Sequence, residues 1–419
     1  MAQPKLILAD YLVDGVDGQV RMKQAVAVAD GRITAVGDQA TLQQAASLET
    51  DIIDLGAVYL APGLIDGHTH ASLAGDGRSY AEMFVDSDEI MLLAEVMNLR
   101  KHLQADITTA REHGARNRVG FELKEGLRRG YFPGPRLLVS GRPITCTGGH
   151  FHFCNEIADG EAEVRRSVRR LVHEGVDYVK IMASGGGTEG TFPGRASYSV
   201  AELHAAVHEA HHFDRLTVAH CRAKESMRRA VEAGIDLMEH AEFLDPDHQL
   251  RFDPKIAEMM AEAGIWVSPT LQATTRYPRL LELWQRRDAD QLTPAEPREL
   301  AALEAHKQHR LDILRRMLDY DMRDRIVPGT DSGVASLAFG HLDYELRLLV
   351  EVGFTPAEVL IAATKTTAEA IGTGSELGTI EVGKAADFVA FDGDPTTDVM
   401  AISRVAAVFL GGESVTMTH

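Results

Sequence analysis

Two periodicities alternate along this chain. Between Lys5 and Asp54, the short apolar runs Leu6-Ile7-Leu8, Ala25-Val26-Ala27-Val28 and Ile33-Thr34-Ala35-Val36 read as strands, with Asp30-Gly31 as a tight hairpin turn between the last two. The far end has the same character at Gly378-Thr379-Ile380, Asp387-Phe388-Val389-Ala390-Phe391 and Ala406-Ala407-Val408-Phe409-Leu410. Both ends are therefore expected to build one small β-sandwich domain, residues 1–61 and 373–419. Between them, apolar strand-like runs at Val58 to Ala61, Ile107 to Ala110, Arg136 to Ser140, Tyr178 to Met182, Leu216 to His220, Leu237 to His240, Ile265 to Ser268 and Ile326 to Pro328 alternate with helical patterns. Val164, Val168, Leu171 and Val172 form one such pattern, and Ala206, Val207 and Ala210 another. This alternation predicts an α/β fold: a (β/α)8 TIM barrel over residues 62–372, with a doubly wound sheet as the alternative.

Three connections are longer than a tight turn needs: Gly141 to Gly160, Ala183 to Ser199, and Leu271 to Pro297. All follow the C-terminal ends of predicted strands, the face on which a barrel carries its site, so they are the expected substrate walls.

Composition narrows the class of function. The chain has 419 residues, 45% hydrophobic and 25% charged, enough for a sizeable core. No apolar run approaches the roughly 20 residues of a membrane-spanning helix, and Met1 to Asp10 lack the basic and apolar regions of a secretory leader. With 62 acidic against 43 basic residues the formal charge is -19, which repels nucleic acid and leaves a small-molecule substrate as the expected partner. Three cysteines, Cys146, Cys154 and Cys221, suit free thiols in a reducing, cytoplasmic setting. The 18 histidines matter more, since imidazole is the commonest metal ligand.

Asp66-Gly67-His68-Thr69-His70 places two imidazoles two residues apart, which extended backbone turns to one side; alone, the pair reads equally as structural or as ligating. Lys180 lies in the apolar strand Tyr178-Val179-Lys180-Ile181-Met182. It is either a buried ion pair, a lysine reaching from a rim, or an amine whose depressed pKa lets it take up CO2 as a metal-bridging carbamate. His220 and His240 each close a strand, and Asp331 follows Pro328-Gly329-Thr330, where capping a helix is its alternative role. Six potential ligand groups at strand ends are difficult to produce by packing alone.

With those residues in view, the chain resembles the amidohydrolase superfamily, and within it the imidazolonepropionase-like and Xaa-Pro-dipeptidase-like metal-dependent hydrolases. The carrying motifs are Ala61-Pro62-Gly63-Leu64-Ile65-Asp66-Gly67-His68-Thr69-His70, Val179-Lys180-Ile181, His220, His240, Pro328-Gly329-Thr330-Asp331 and Gly378-Thr379-Ile380-Glu381-Val382-Gly383-Lys384-Ala385-Ala386-Asp387. The resemblance covers nearly the whole chain and implies a binuclear centre. His68, His70 and Asp331 would hold one divalent ion, His220 and His240 the other, and carbamylated Lys180 would bridge them. Zinc suits this ligand set, with manganese, cobalt and iron as alternatives. Two such ions would ionise a bridging water near neutral pH, and Asp331 would carry the proton to the leaving amine. Relatives of this kind commonly self-associate, so a homo-oligomer is expected.

The resemblance also implies a substrate contact for His150, in Thr147-Gly148-Gly149-His150, where the chain continues with Phe151 and His152 instead of the usual glycine. Arg195 and Tyr198 are candidates to bind a substrate carbonyl or carboxylate, with a solvated loop as the alternative. Cys146, His150, His152 and Cys154 are weighed as a separate zinc site and set below the loop reading. His113 stands where relatives often have leucine and receives no role. His204, His208, His211 and His212 are expected on an exposed helix face, Trp266 in the core and Trp284 in lid packing. The expected activity is hydrolysis of an amide bond in a dipeptide or N-acyl amino acid. Lactone, phosphotriester or carbamate hydrolysis uses the same chemistry. Deamination fits less well, because Ala223 stands where related deaminases carry glutamate, and a non-catalytic binding protein is disfavoured by the intact ligand set.

Overall fold

A computed structural model describes residues 3–415, so the outermost residues of the expected terminal domain lie outside it. The terminal strands are β1 (Lys5–Val13), β2 (Val20–Ala29), β3 (Arg32–Asp38), β4 (Asp51–Asp54) and β5 (Tyr59–Pro62). The central strands are β6 (Leu64–Thr69), β7 (Ile107–Glu112), β8 (Arg136–Val139), β9 (Tyr178–Met182), β10 (Leu216–Ala223), β11 (Leu237–Leu244) and β12 (Trp266–Ser268). From the far end come β13 (Phe388–Phe391), β14 (Val405–Leu410) and β15 (Glu413–Ser414).

Both ends of the chain join one eight-stranded network, in the order β15-β14-β13-β5-β1-β2-β3, with β4 added on β1. It forks at β1: Lys5 to Leu8 pair in parallel with β4, and Tyr11 and Leu12 with β5. Alternation of side chains across each strand places Ile7, Leu12, Val26, Val28, Leu60, Phe388 and Phe409 in one buried cluster. Leu6, Leu8 and Ala25 pack on the other face, against Leu42 of the short helix Gln39–Ala45. Each such aliphatic or aromatic residue removed from water contributes about 1.5–3 kcal/mol. The segment expected to open the central array, Val58 to Ala61, belongs to this network instead: β5 pairs with β13, Pro62 opposite Phe388. The strand that leads to the paired histidines is β6.

The central strands form two parallel sheets, β6-β7-β8 and β12-β11-β10-β9. Backbone bonds join their edges: Asp177 N to Val139 O, Ile144 N to Lys180 O and Met182 N to Ile144 O, each at 2.9 Å, on one side, and Val327 N to Val267 O at 2.8 Å on the other. Gly67 N then bonds Pro328 O at 3.0 Å, and Asp331 N bonds His68 O at 2.8 Å. Ile326 to Pro328, expected as an eighth strand, makes only an isolated bridge from Ile326 to Val267. Pro328 offers no N–H to extend the ladder.

Helices cover the outside of these sheets. Gly160–Glu174 buries Val164, Val168 and Leu171 along one stripe and ends at Gly175, whose φ of 99° suits a residue without a Cβ. Val200–His212 begins in a reciprocal cap between Ser199 and Glu202, and its His204, His208, His211 and His212 are exposed, as expected. Among the described residues no helix is long and apolar enough to cross a membrane.

Candidate metal centre

The C-terminal ends of the parallel strands carry the ligand-type residues to one place. His68 lies in β6 and His70 just after it, Lys180 in β9, His220 in β10, His240 in β11, and Asp331 beyond the Ile326 bridge. Gly329 makes the last approach feasible, since a Cβ there would fall 2.6 Å from His68 Cβ and 2.7 Å from Ser268 Oγ. His240 and Asp331 adopt left-handed backbone, φ 64° and 55°, which costs a non-glycine residue about 1–3 kcal/mol and is common at functional positions. The surroundings hold them there. The buried Arg310 donates to the His240 carbonyl at 2.8 Å, and Asp66 accepts from His68 N, Thr330 N and Thr330 Oγ1.

Five of the six expected ligands fall into two groups. In one, Asp331 Oδ1 is 3.1 Å from His68 Nε2 and 3.4 Å from His70 Nε2, and the two imidazole nitrogens are 3.3 Å apart. In the other, His240 Nε2 is 2.9 Å from His220 Nδ1. His220 Nε2 faces the Gly185 carbonyl at 3.1 Å, which can only accept, so His220 Nδ1 is left with its lone pair directed at the cluster. His240 Nδ1 meets Thr270 Oγ1 at 2.7 Å, which frees Nε2 in the same way when Nδ1 carries the proton. Burial depresses the pKa of all four histidines, the neutral form that ligates metal, and pushes Lys180 well below the ordinary lysine value. For Asp331, burial acts upward, but the adjoining His68 and His70 outweigh it and hold the carboxyl below its usual range. Both groups, His68–His70–Asp331 and His220–Glu239–His240, have the chemistry and spacing to hold a metal ion.

Glu239 is a member that reasoning from sequence missed, and His113 is another. Glu239 is fully buried and forms an ion pair with Lys180. Its Oε1 lies 2.6 Å from His113 Nδ1 and 3.4 Å from His68 Nδ1, making a third ligand-type group, His68–His113–Glu239. A signal was present for both. His113 directly follows β7, as the ligands follow or end their strands, and Glu239 is the one charged residue of Leu237-Met238-Glu239-His240.

A cavity of about 380 Å³ opens over His70, His220, His240 and Asp331. His150 lines it, its ring centroid 4.6 Å from that of His220 and its Nδ1 2.7 Å from Thr188 Oγ1. Only glycine fits at position 186 beside it, because a Cβ would lie 2.4–2.6 Å from the His150 ring. Tyr198 and Arg195 are not among the lining residues. The Tyr198 side chain is buried with its hydroxyl donating to Ala158 O at 2.9 Å, and Arg195 is exposed, over the Phe192 ring. The cations at the cavity are instead Arg222, Arg276 and Arg279. Arg222 is paired with Glu242, and Arg279 with Glu282, Glu296 and Glu299, whereas exposed Arg276 makes no ion pair among the described residues. Arg276 comes from the third long connection, which is helical over Leu271–Thr274 and Tyr277–Asp288 and not an open loop. Cys146, His152 and Cys154 join no metal-type group among the described residues, and all three cysteines are free.

This arrangement agrees with what the chain is similar to. A family model described as "Amidohydrolase family" matches residues 59–415. Ochratoxinase of Aspergillus niger is 27% identical, covering 97% of this chain and 85% of its own. Imidazolonepropionase of Solibacter usitatus is 26% identical, covering 93% and 90%. The crystal structure of a Xaa-Pro dipeptidase with methionine bound in its active site superposes with a TM-score of 0.81 at 25% identity, over 98% of this chain and 99% of that one. The strand-end histidines, the aspartate beyond them and the extent of the match together establish that the chain belongs to the amidohydrolase family.

Proposed function

We propose that this amidohydrolase cleaves the amide bond of a dipeptide or N-acyl amino acid at a centre of two divalent metal ions, zinc foremost. His68, His70 and Asp331 would hold one ion, and His220 and His240 the other. Lys180, which burial favours as a free amine able to take up CO2, would bridge them as its carbamate. The observation that carries this reading is the pair of ligand groups on the cavity floor, with His220 Nδ1 left as a lone pair by its neighbour's bond to Gly185 O. The backbone bonds that close the gaps between the two parallel sheets support reading them as one (β/α)8 barrel, with the terminal strands as its sandwich.

When bound, the ions supply an ionised water near neutral pH and polarise the scissile carbonyl. The protein's part is positioning and proton transfer. Asp331, kept as a carboxylate by His68 and His70, accepts the proton of the attacking water and gives it to the departing nitrogen as the C–N bond breaks. His150, fixed by Thr188, contacts the substrate beside the carbonyl. Arg276, which forms no ion pair among the described residues, receives the substrate carboxylate; such a cation favours an acidic amide over a neutral lactone or phosphotriester. Relatives named ochratoxinase and Xaa-Pro dipeptidase support an amide substrate. The test is a screen of dipeptides and N-acyl amino acids, each with its carboxamide counterpart, against zinc-loaded protein. Turnover of the free acids is expected, and turnover confined to lactones or phosphotriesters would overturn the assignment.

A further inference from the structure

Beneath the proposed metal centre lie two polar groups, Glu239 and His113, that the mechanism above does not use. Glu239 is fully buried at the inner side of β11, level with His220 of β10, its partner in register. Three side chains converge on its carboxylate: Lys180 Nζ on Oε2, and His113 Nδ1 and His68 Nδ1 on Oε1 at 2.6 and 3.4 Å. His113 cannot turn away. Its Nε2 lies 2.9 Å from the Gly67 carbonyl, which requires a donor there, and its ring stacks on that of His68 with centroids 4.3 Å apart. With Nε2 committed to that carbonyl, the ring is held with Nδ1 facing Glu239 Oε1. A buried carboxylate with these neighbours is too costly to be incidental packing.

His68 turns its Nε2 toward Asp331 and His70, so the nitrogen available for orienting the ring is Nδ1, the one facing Glu239. Lys180 presents Nζ to the other oxygen of the same carboxylate, and a carbamate built on Nζ retains one N–H that needs an acceptor in this dry interior. Partners of this kind fix ring orientation and raise ligand basicity. Glu239 also lies within 4.8 Å of ligand-type nitrogens of His220 and His240, so it neighbours both halves of the centre.

We infer that Glu239 is a positioning residue of the metal centre. It sets His68 through Nδ1 and Lys180 through Nζ at the same time, and His113, pinned to the Gly67 carbonyl, keeps it in place. This rests on the metal-hydrolase reading above.

The test compares full-length wild type, E239Q and H113Q, each stripped of metal and titrated with zinc against a competing chelator, then with cobalt while the visible spectrum is recorded. E239Q is expected to bind at least one ion about 10–100-fold more weakly, to shift the cobalt spectrum, and to lower kcat more than it raises KM. H113Q, which leaves every proposed ligand in place, should move affinity and spectrum in the same direction by a smaller factor, and serves if E239Q fails to fold. E239Q or H113Q with wild-type affinity and spectrum would overturn the positioning role. Wild type that binds no metal would instead remove the reading beneath it, so the two failures are distinguishable.

Discussion

Asp331 Oδ1 stands 3.1 Å from His68 Nε2, and the backbone N–H of the same aspartate bonds the His68 carbonyl at 2.8 Å. Two residues from opposite ends of the central region are thus joined twice, once through backbone and once through the groups proposed for chemistry. The backbone bond makes the side-chain contact reproducible, because Asp331 cannot shift without breaking it.

Asp331→Asn keeps an oxygen for a metal but no longer accepts a proton. Turnover of an acidic amide is expected to fall by about 10²–10⁴-fold, the span of a lost general acid–base group. Full turnover in a variant that retains its metal would remove the proton-transfer role. Metal content measured on the same sample separates this from loss of the site.

Arg276→Ala should raise KM for free-acid substrates by about tenfold or more while leaving kcat within a few-fold, the signature of lost uniform binding. The same change should leave carboxamide analogues nearly unaffected. Equal effects on acid and amide would mean that Arg276 does not bind the carboxylate. Tyr198→Phe, which removes only the hydroxyl bonded to Ala158 O, should leave KM unchanged.

The stability contributed by three buried carboxyls should decline between mildly acidic and mildly alkaline pH, opposed up to about pH 6.5 by the buried histidines, which an unfolded chain protonates and the folded one keeps neutral. Burial pushes the Glu345 carboxyl up to about 8, against the opposing bonds it accepts from Gln272 N and Leu271 N. Glu112, also buried, is raised to about 8 and Asp66 to about 7. Above the ordinary value near 4.5, an unfolded chain releases protons that the folded one retains, so unfolding becomes easier as pH rises through this window and levels off above it. From about pH 5 to about pH 8 the urea midpoint of wild type should fall relative to that of Glu345→Gln, which has nothing to ionise there and shares every other titrating group. Identical slopes would place the Glu345 proton elsewhere.

Much of the site was legible because its residues break the pattern of their own strands. A histidine, lysine or aspartate at the end of an apolar run has no packing reason to be there, and His68, His70, Lys180, His220, His240 and Asp331 are brought together for that reason. His113 and Glu239 obey the same rule, but a histidine that matches no motif position, as His113, and a glutamate beside a stronger ligand candidate, as Glu239 beside His240, carry a weaker signal. Tyr198 and Arg195 show the reverse error: a place in the long connection Ala183 to Ser199 does not fix which way a side chain turns, and Tyr198 turns into the core. Arg276 could not be chosen from sequence, since what distinguishes it from Arg222 and Arg279 is that it forms no ion pair among the described residues. In the fold, period-two runs located the strands. The assignment of Tyr59–Pro62 to the terminal sheet depended on pairing with β13, a contact across almost the whole chain.

The most direct test of the account is the metal content of purified full-length protein, measured by elemental analysis alongside the intact mass under conditions that preserve a carbamate. Two divalent ions per chain and one added CO2, both lost in Lys180→Ala, are the predicted result. Fewer than about one ion per chain in protein that still hydrolyses an acidic amide would contradict it, because the chemistry proposed here depends on water ionised by metal.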